Sequence, residues 1–280
     1  NYIEISNIMK NIMSVDLEDF FCDLPFSQWN NYKQRVISNT EFILELFEKY
    51  NVRATFFTVG YIAETHPELI EKIISQGHEI ASHSYYHCDI RKMNKNKFEE
   101  DLKKSLDVLE KISGEKVNGF RAPFFSIDRN NLWVFDILKK YLKYDSSIFP
   151  VKTPLYGISN GPTQIYHVAD NNPLQDDSTV NFLEIPMSTL KIPLIGKIPI
   201  AGGFHLRFLP LFLQKIGIRN QNKKNFPASC YIHPKDLDPG MPKISEYAWH
   251  YYWGLNGARN KFESLLKSFE FTSIREIIKI

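Results

Sequence analysis

Two histidines four residues apart, His83 and His87, are the first candidates for chemistry in this 280-residue chain. They directly follow residues 77–82 (GHEIAS), a stretch typical of a turn and a short buried strand. Two imidazoles at this spacing can face the same way and bind one divalent metal ion, and imidazole suits zinc, iron, cobalt or nickel. Two unrelated core or surface histidines would have the same spacing, so the pair is only a modest signal.

Three carboxylates, those of Asp16, Glu18 and Asp19, follow an apolar run at residues 12–15. Buried carboxylates are costly unless they are paired or bind a metal, so this cluster indicates either a solvated loop or a metal site. A metal bound by two histidines and one carboxylate keeps positions open for water and substrate, which is the catalytic arrangement. A second carboxylate would then act as a general base, and the combination predicts metal-assisted hydrolysis.

Other short apolar or aromatic runs also end at a polar residue that could do chemistry. Such endings occur at Arg121, Asp145 and His233. In barrels and open α/β sheets, reactive groups collect at the carboxyl ends of parallel strands. The repeated pattern therefore favours one site assembled from several strand ends.

Taken in chain order, these segments resemble the motifs of the polysaccharide deacetylase family, the NodB-homology carbohydrate esterases. Within that family they are most similar to the branch associated with exopolysaccharide synthesis. The likeness runs from about residue 10 to about residue 270. The matching segments are residues 14–20 (SVDLEDF), 52–57 (VRATFF), 77–83 (GHEIASH), 121–123 (RAP), 144–150 (YDSSIFP), 201–203 (AGG) and 233–234 (HP).

The resemblance implies a metal-dependent hydrolase that removes an N-acetyl group from an N-acetylated sugar or polysaccharide. The two histidines would bind one divalent ion, zinc in the first place, with cobalt, nickel, iron or manganese as alternatives. Asp16 matches the family base. Family members usually carry two adjacent aspartates, whereas this chain has Leu17 in the second position. Glu18 lies on the same side of an extended segment as Asp16, so we expect it to be the third ligand and keep Asp19 as the alternative.

Proton transfer would involve residues from later motifs. Arg121 resembles the family arginine that orients the base, and His233 matches the general acid that protonates the leaving amine, a role that suits imidazole. We expect His233 to approach from the side opposite Asp16. Asp145 is a candidate either to orient His233 or to line the pocket.

Two further residues are candidates for contact with the substrate. Pro123 has no N–H, so the backbone amide of Phe124 is the next donor that could hold an oxyanion. His205, beside the loop at residues 202–203, is a candidate substrate contact. Two alternatives to the sugar deacetylase stay open: a related hydrolase of a non-sugar amide, and a catalytically inactive carbohydrate-binding protein.

Hydrophobic periodicity alternates between strand and helix in the first half of the chain, which predicts parallel βα units. We expect a single α/β domain over residues 1–280, a distorted (β/α) barrel with an irregular insertion at about 148–205. The resemblance implies fewer than eight complete units. Helices are predicted at residues 35–50, 67–76, 95–113, 129–140, 207–216 and 246–269.

Composition and charge limit the classes of partner and the cellular location that the sequence suggests. The net charge of +2 gives no indication of nucleic acid or an anionic membrane surface. Cys22, Cys88 and Cys230 are widely spaced without a zinc-finger pattern, which favours reduced thiols. Residues 1–6 lack the pattern of a signal peptide, and no apolar run is long enough to cross a bilayer. We therefore expect a cytoplasmic protein with an N-acetylated carbohydrate as its partner.

Overall fold

The secondary structure of the computed structural model follows the predicted alternation of strands and helices. Residues 9–151, 153, 156–194, 196–200 and 202–280 are described. The segment at residues 1–6 and Ala201 of the AGG motif lie outside the described residues. The strands are β1 (Asn11–Leu17), β2 (Thr55–Thr58), β3 (Glu79–Ser82), β4 (Gly119–Phe120), β5 (Tyr144–Asp145), β6 (Tyr166–His167), β7 (Leu183–Glu184), β8 (Thr189–Ile192), β9 (Gly196–Pro199), β10 (Ser229–Ile232) and β11 (Phe271–Thr272).

Helices cover the outside of these strands. They are α1 (Val36–Lys49), α2 (Gly60–Thr65), α3 (Pro67–Ser75), α4 (Lys95–Ser113), α5 (Val134–Tyr141), α6 (Gly203–Phe208), α7 (Leu211–Asn222), α8 (Leu255–Leu266) and α9 (Ile274–Ile278). The helices predicted at residues 35–50, 67–76 and 95–113 correspond to α1, α3 and α4. The helix predicted at residues 129–140 corresponds to α5, which begins only at Val134. No helix among the described residues combines the length and apolar character that a membrane crossing requires.

The main sheet is curled and mostly parallel. Its order is β10-β1-β2-β3-β4-β5-β7-β6, with β11 also paired to β1, and only β6 runs antiparallel to its neighbour among the described residues. Beyond β7, the N–H of Ser188 donates to the carbonyl of Ser229 at 3.3 Å, which brings the chain alongside β10. The prediction of a distorted barrel with parallel strands is confirmed.

The central strands are buried on both faces, as expected where helices cover a parallel sheet. On β2, Phe56 packs in the larger hydrophobic cluster under the helices, and Phe57 packs in a smaller cluster on the opposite face. Because the neighbouring strands are parallel, their carboxyl ends meet at one rim. The segments that carry Asp16, His83 and Arg121 all leave the sheet there.

The two helices predicted in the second half are wrong in extent. Residues 203–222 form two helices instead of one, since Leu209 is extended (φ −75°, ψ 146°) before Pro210 and the second helix begins only at Leu211. The helix predicted at residues 246–269 is confined to α8, which is preceded by Gly254 in the left-handed conformation (φ 75°). The segment at about 148–205, predicted as an irregular insertion, contributes strands β6 to β9.

Candidate metal centre and active site

Strand β1 delivers two carboxylates to the rim of the barrel. Asp16 lies in β1 and Glu18 directly follows it, and each is only 1% exposed. Both line a cavity of about 310 Å³. As expected from their spacing, the two side chains reach the same space.

His83 and His87 follow β3 and turn their Nε2 atoms toward Glu18. Nδ1 of His83 lies 2.8 Å from the carbonyl oxygen of Arg121, and Nδ1 of His87 lies 2.9 Å from that of Cys22. A carbonyl oxygen only accepts, so Nδ1 carries the hydrogen in each ring. In the neutral imidazoles, Nε2 then presents a lone pair, which is the arrangement seen around metal-binding histidines.

Glu18, His83 and His87 form a set of three buried ligands. One ligand atom from each lies within 4.8 Å of the other two. Oε2 of Glu18 is 3.6 Å from Nε2 of His83 and contacts Nε2 of His87. Among the described residues, this oxygen is buried without a hydrogen-bond donor. Two oriented imidazoles and one unsatisfied carboxylate oxygen fit a divalent metal ion with open positions for water and substrate.

Asp19, the alternative ligand, lies outside this set. Its Oδ1 accepts from the N–H of Phe20 at 2.7 Å, and its Oδ2 accepts from those of Arg35 and Val36 at 2.6 and 2.9 Å. Both oxygens are therefore engaged, Oδ1 at the short turn that begins at Phe20 and Oδ2 at the beginning of α1, where a carboxylate satisfies free N–H groups and interacts favourably with the helix dipole. The structure favours Glu18 as the third ligand.

Arg121 is fully buried and holds Asp16 in place. Its Nη1 donates to Oδ1 of Asp16 at 2.6 Å and to Oγ of Ser14 at 2.9 Å. Its Nε and Nη2 donate to the carbonyl oxygen and Oγ of Ser146 at 3.0 and 2.9 Å. The guanidinium also lies 4.1 Å above the ring of Phe57. With its donors fixed in this way, Arg121 can orient one oxygen of Asp16 and leave the other facing the cavity.

His233 follows β10 and enters the same cavity. Its Nδ1 lies 2.7 Å from Oδ2 of Asp236, which in turn accepts from Nε of Arg207 through Oδ1 at 2.9 Å. Burial lowers the pKa of His233, but the carboxylates of Asp236 and Glu18 outweigh it and raise the pKa above its ordinary value. The imidazole is thus held with Nε2 toward the cavity and favours the protonated form that a general acid needs.

The position of His233 corrects one expectation. Its Nε2 lies 3.7 Å from Oδ2 of Asp16 and 3.6 Å from Oε1 of Glu18. His233 is therefore a neighbour of Asp16, because β10 pairs directly with β1 and their carboxyl ends leave the sheet side by side. The expected approach from the side opposite Asp16 is wrong.

Asp145 neither orients His233 nor lines the cavity within the described part of the chain. Its carboxylate accepts from the N–H and Oγ of Ser147 at 3.0 and 2.7 Å, and Oγ of Ser147 accepts from the N–H of Ala122 at 2.8 Å. Burial, reinforced by Asp145, raises the pKa of neighbouring Glu184 well above its ordinary value. Asp145 thus supports the loop after Arg121, and Asp236 takes the role predicted for it at His233.

Lys235 and Asp23 were not identified as site residues from the sequence. Nζ of Lys235 lies 2.7 Å from Oε1 of Glu18 and 2.6 Å from Oδ2 of Asp23. Burial lowers the pKa of Lys235, but the two carboxylates raise it well above its ordinary value. The ammonium therefore stays charged and contacts Oε1 of Glu18, whereas His83 and His87 face Oε2. The position of Lys235 beside the HP motif was the available signal, whereas Asp23 had none.

The candidate substrate contacts line the cavity wall. Phe124 has a left-handed backbone (φ 58°), and its ring packs 4.7 Å from that of His87. Burial lowers the pKa of His205 to about 4, and its buried Nδ1 has no hydrogen-bond partner among the described residues. A neutral imidazole with an unsatisfied nitrogen is suited to bind a polar group of a substrate. His250 also lines the cavity, although its sequence context gave no indication of this.

Comparison with known families divides the chain into two matched segments. Residues 31–140 match the polysaccharide deacetylase family, and residues 146–279 match a domain of unknown function, DUF3473. His83, His87 and Arg121 lie in the first segment, and His233 lies in the second. Both matched segments contribute residues to the cavity.

Similar curated proteins include deacetylases. A peptidoglycan-N-acetylglucosamine deacetylase of Bacillus cereus is 32% identical over 90 residues, which are 32% of this chain and 33% of that protein. The chain spans about a third of the length of the curated relatives it matches.

Two solved structures share the fold at low sequence identity. A candidate polysaccharide deacetylase from Mycobacterium smegmatis has a TM-score of 0.62 and 18% identity, covering 97% of this chain and 90% of its own. A CE4 family pseudoenzyme from Bacillus anthracis has a TM-score of 0.52 and 14% identity, covering 97% and 66%. These likenesses show the fold alone, and a shared fold does not establish an activity.

Proposed function

We propose that this chain is a metal-dependent hydrolase that removes the N-acetyl group from an N-acetylated sugar. The observation that carries the proposal is the assembly, in one cavity, of the Glu18, His83 and His87 ligand set with Asp16 and His233. Each of the last two is held by a buried partner, Arg121 for Asp16 and Asp236 for His233. The polysaccharide deacetylase match supports the same reaction class.

Three residues would hold the metal. Nε2 of His83, Nε2 of His87 and Oε2 of Glu18 are available for it, and this donor set suits zinc. A bound ion would act as a Lewis acid on the acetyl carbonyl and lower the pKa of water. Lys235 occupies the other oxygen of Glu18, so the carboxylate presents a single oxygen to the ion.

The protein residues would move the protons of the hydrolysis. Asp16 accepts a proton from the water whose oxygen attacks the acetyl carbonyl carbon. The C–N bond then breaks, acetate leaves, and His233 donates the proton that the amine requires. The roles are complementary because Arg121 orients the carboxylate of Asp16, whereas Asp236 stabilises the protonated form of His233.

The resemblance to the branch associated with exopolysaccharide synthesis supports a sugar within a polysaccharide as the substrate. The test is acetate release by the metal-loaded chain from an N-acetylglucosamine pentamer, UDP-N-acetylglucosamine and a non-sugar acetamide. We expect acetate from at least one sugar substrate and none after His83→Ala. Release from the non-sugar amide alone would indicate a different amide hydrolase. Sugar binding without any acetate would indicate an inactive carbohydrate-binding protein.

A further inference from the structure

Four aromatic rings form a closed cluster on the surface next to the cavity. Phe204 contacts Phe208 and Trp249 with ring centroids 5.1 and 6.3 Å apart, and Trp253 contacts Trp249 and Phe208 at 5.8 and 6.5 Å. Trp249, Trp253 and Phe208 are 63, 53 and 49% exposed. We call these four residues the aromatic platform. Exposed apolar patches of this kind mark interaction sites.

The platform is continuous with the catalytic cavity. Phe204 lines the cavity, and so does His250, whose ring contacts Phe204 at 6.0 Å and Trp249 at 5.9 Å. The cavity volume of about 310 Å³ is at the lower end of the range of about 300–1,000 Å³ for small-molecule sites. A ligand longer than the cavity would therefore extend over these rings.

Buried hydrogen bonds connect the platform to the catalytic histidine. Nη1 of Arg207 donates to the carbonyl oxygens of His250, Tyr251 and Trp253 at 3.1, 3.1 and 2.6 Å. Nε of the same arginine donates to Asp236, the residue that orients His233. One buried side chain thus positions both the loop that carries the two tryptophans and the general acid.

The chemistry of the surface favours a saccharide as its occupant. The C–H groups on one face of a sugar ring form an apolar surface that stacks on an aromatic ring, and indoles offer a large, rigid surface for this. An anionic membrane would require cations as well as rings. Arg207 and Lys261 contact this region, but both donate to backbone carbonyls, Lys261 to those of Arg207 and Leu209 at 2.8 and 3.0 Å.

We propose that the aromatic platform binds the sugar residues next to the one that is deacetylated, so that the substrate is a glycan chain and not a monosaccharide. This inference rests on the proposed function. It extends that function by naming the surface that binds the rest of the glycan chain. The residue in the cavity undergoes the reaction, and its neighbours in the chain stack on Trp249 and Trp253.

The kinetic test compares a pentamer and a monomer of N-acetylglucosamine as substrates for acetate release. In the Trp249→Ala/Trp253→Ala double variant, we expect kcat/KM for the pentamer to fall roughly tenfold more than that for the monomer. The Trp249→Phe/Trp253→Phe variant keeps two rings and should recover most of the difference. Phe226→Ala is the matched control, because Phe226 is 40% exposed but precedes β10, at the end of the strand away from the cavity. An equal loss on both substrates would overturn the proposal.

A binding test distinguishes failure of the platform proposal from failure of the proposed function. The metal-free chain and its double variant are applied to a glycan array that includes the pentamer, and to vesicles of phosphatidylglycerol and phosphatidylcholine. Glycan binding that depends on the two tryptophans supports the proposal even where no acetate is released, which would contradict only the proposed function. If glycan binding does not depend on the two tryptophans, the platform proposal is overturned, even where acetate is released. Tryptophan-dependent binding to vesicles alone, or tryptophan-dependent self-association in sedimentation, would replace the glycan with a membrane or a second copy of the chain.

Discussion

Asp16 and Glu18 are two residues apart in one strand segment, yet their surroundings give them different roles. Asp16 is paired with a buried guanidinium, whereas Glu18 faces two imidazole nitrogens. Burial raises the pKa of Glu18, but His87, Lys235 and His233 outweigh it and lower the pKa well below its ordinary value. Glu18 is thus an anion suited to bind a cation.

Substitutions should separate these two roles. Asp16→Asn should keep the metal and lower the rate of acetate release by roughly 10²-fold or more, which is typical for loss of a general base. Glu18→Gln should lower the metal content, because it removes a charged ligand. Asp19→Asn is the control and should keep the metal. Metal content by mass spectrometry and acetate release measure both effects. Loss of metal in Asp16→Asn but not in Glu18→Gln would reverse the assignment.

Asp236→Asn tests proton delivery by His233. The amide can no longer stabilise the protonated imidazole, so we expect amide hydrolysis to slow by roughly 10²-fold or more while the metal stays bound. An activated acetyl ester should be affected less, since its leaving group needs no proton. Rates on the two substrates measure the effect. Equal losses would mean that His233 does not act as the acid.

Most of the residues that line the candidate site could be predicted because each lies at or just after the end of a strand in a recognisable motif. Partners that approach from elsewhere could not be predicted in the same way. Asp145 was a candidate either to orient His233 or to line the pocket, but the structure gives the contact with His233 to Asp236, three residues away on the same turn. Lys235 reaches Glu18 only because β10 and β1 are neighbours. Such side-chain contacts cannot be predicted from the spacing of residues in the sequence.

Gly202 illustrates how a loop between elements is positioned at the site. It has a left-handed backbone (φ 66°), and a Cβ there would lie 1.3 Å from the carbonyl oxygen of Tyr231 in β10. This close approach places the beginning of α6, and with it His205, beside the strand that leads to His233. A side chain at this position would force the loop away from the strand.

Gly202→Ala should therefore lower the free energy of unfolding by about 2 kcal/mol or more, through overpacking and backbone strain. Gly257→Ala is the matched control. Gly257 lies in α8 with no atom within 4 Å of the added Cβ, so alanine should raise stability by about 0.5–1 kcal/mol. Urea denaturation measures both. If both variants shift stability in the same direction, the close approach at Gly202 is not a constraint.

Elements with clear periodicity and clear ends were the most predictable. Helix α4 ends before Gly114, which has a left-handed backbone (φ 67°), and α3 begins at Pro67. The second half was less predictable, because strands of two residues such as β7 are too short to show a period. Strand β7 pairs with β5, which is remote from it in sequence.

The stability of the whole protein should decrease in mild acid. Nδ1 of His78 accepts from the N–H of Ala54 at 3.1 Å, and burial lowers the pKa of His78 to about 4. The unfolded chain, with a histidine pKa of about 6.5, binds a proton between these two values that the folded chain does not. The contribution of His78 to the free energy of unfolding is therefore fully present above about pH 6.5 and is lost as the pH falls toward 4.

We expect this group to contribute about 2–3 kcal/mol to the difference in unfolding free energy between pH 7 and pH 4. His78→Gln removes the titrating group and should flatten the pH dependence by that amount. His205, whose pKa is also lowered to about 4, continues to contribute in the variant. Denaturant titrations at several pH values measure the slope. Identical slopes in the two proteins would show that His78 is not buried as described.

The central claim is that one metal ion held by Glu18, His83 and His87 is required to hydrolyse an N-acetylated sugar. The most direct measurement is the rate of acetate release from the N-acetylglucosamine pentamer as zinc is added stepwise to the metal-free chain. The proposal predicts no release without metal, a linear rise up to one ion per chain, a plateau beyond it, and no rise in His83→Ala. Undiminished acetate release from the metal-free chain, or one bound ion per chain with no acetate released, would contradict it.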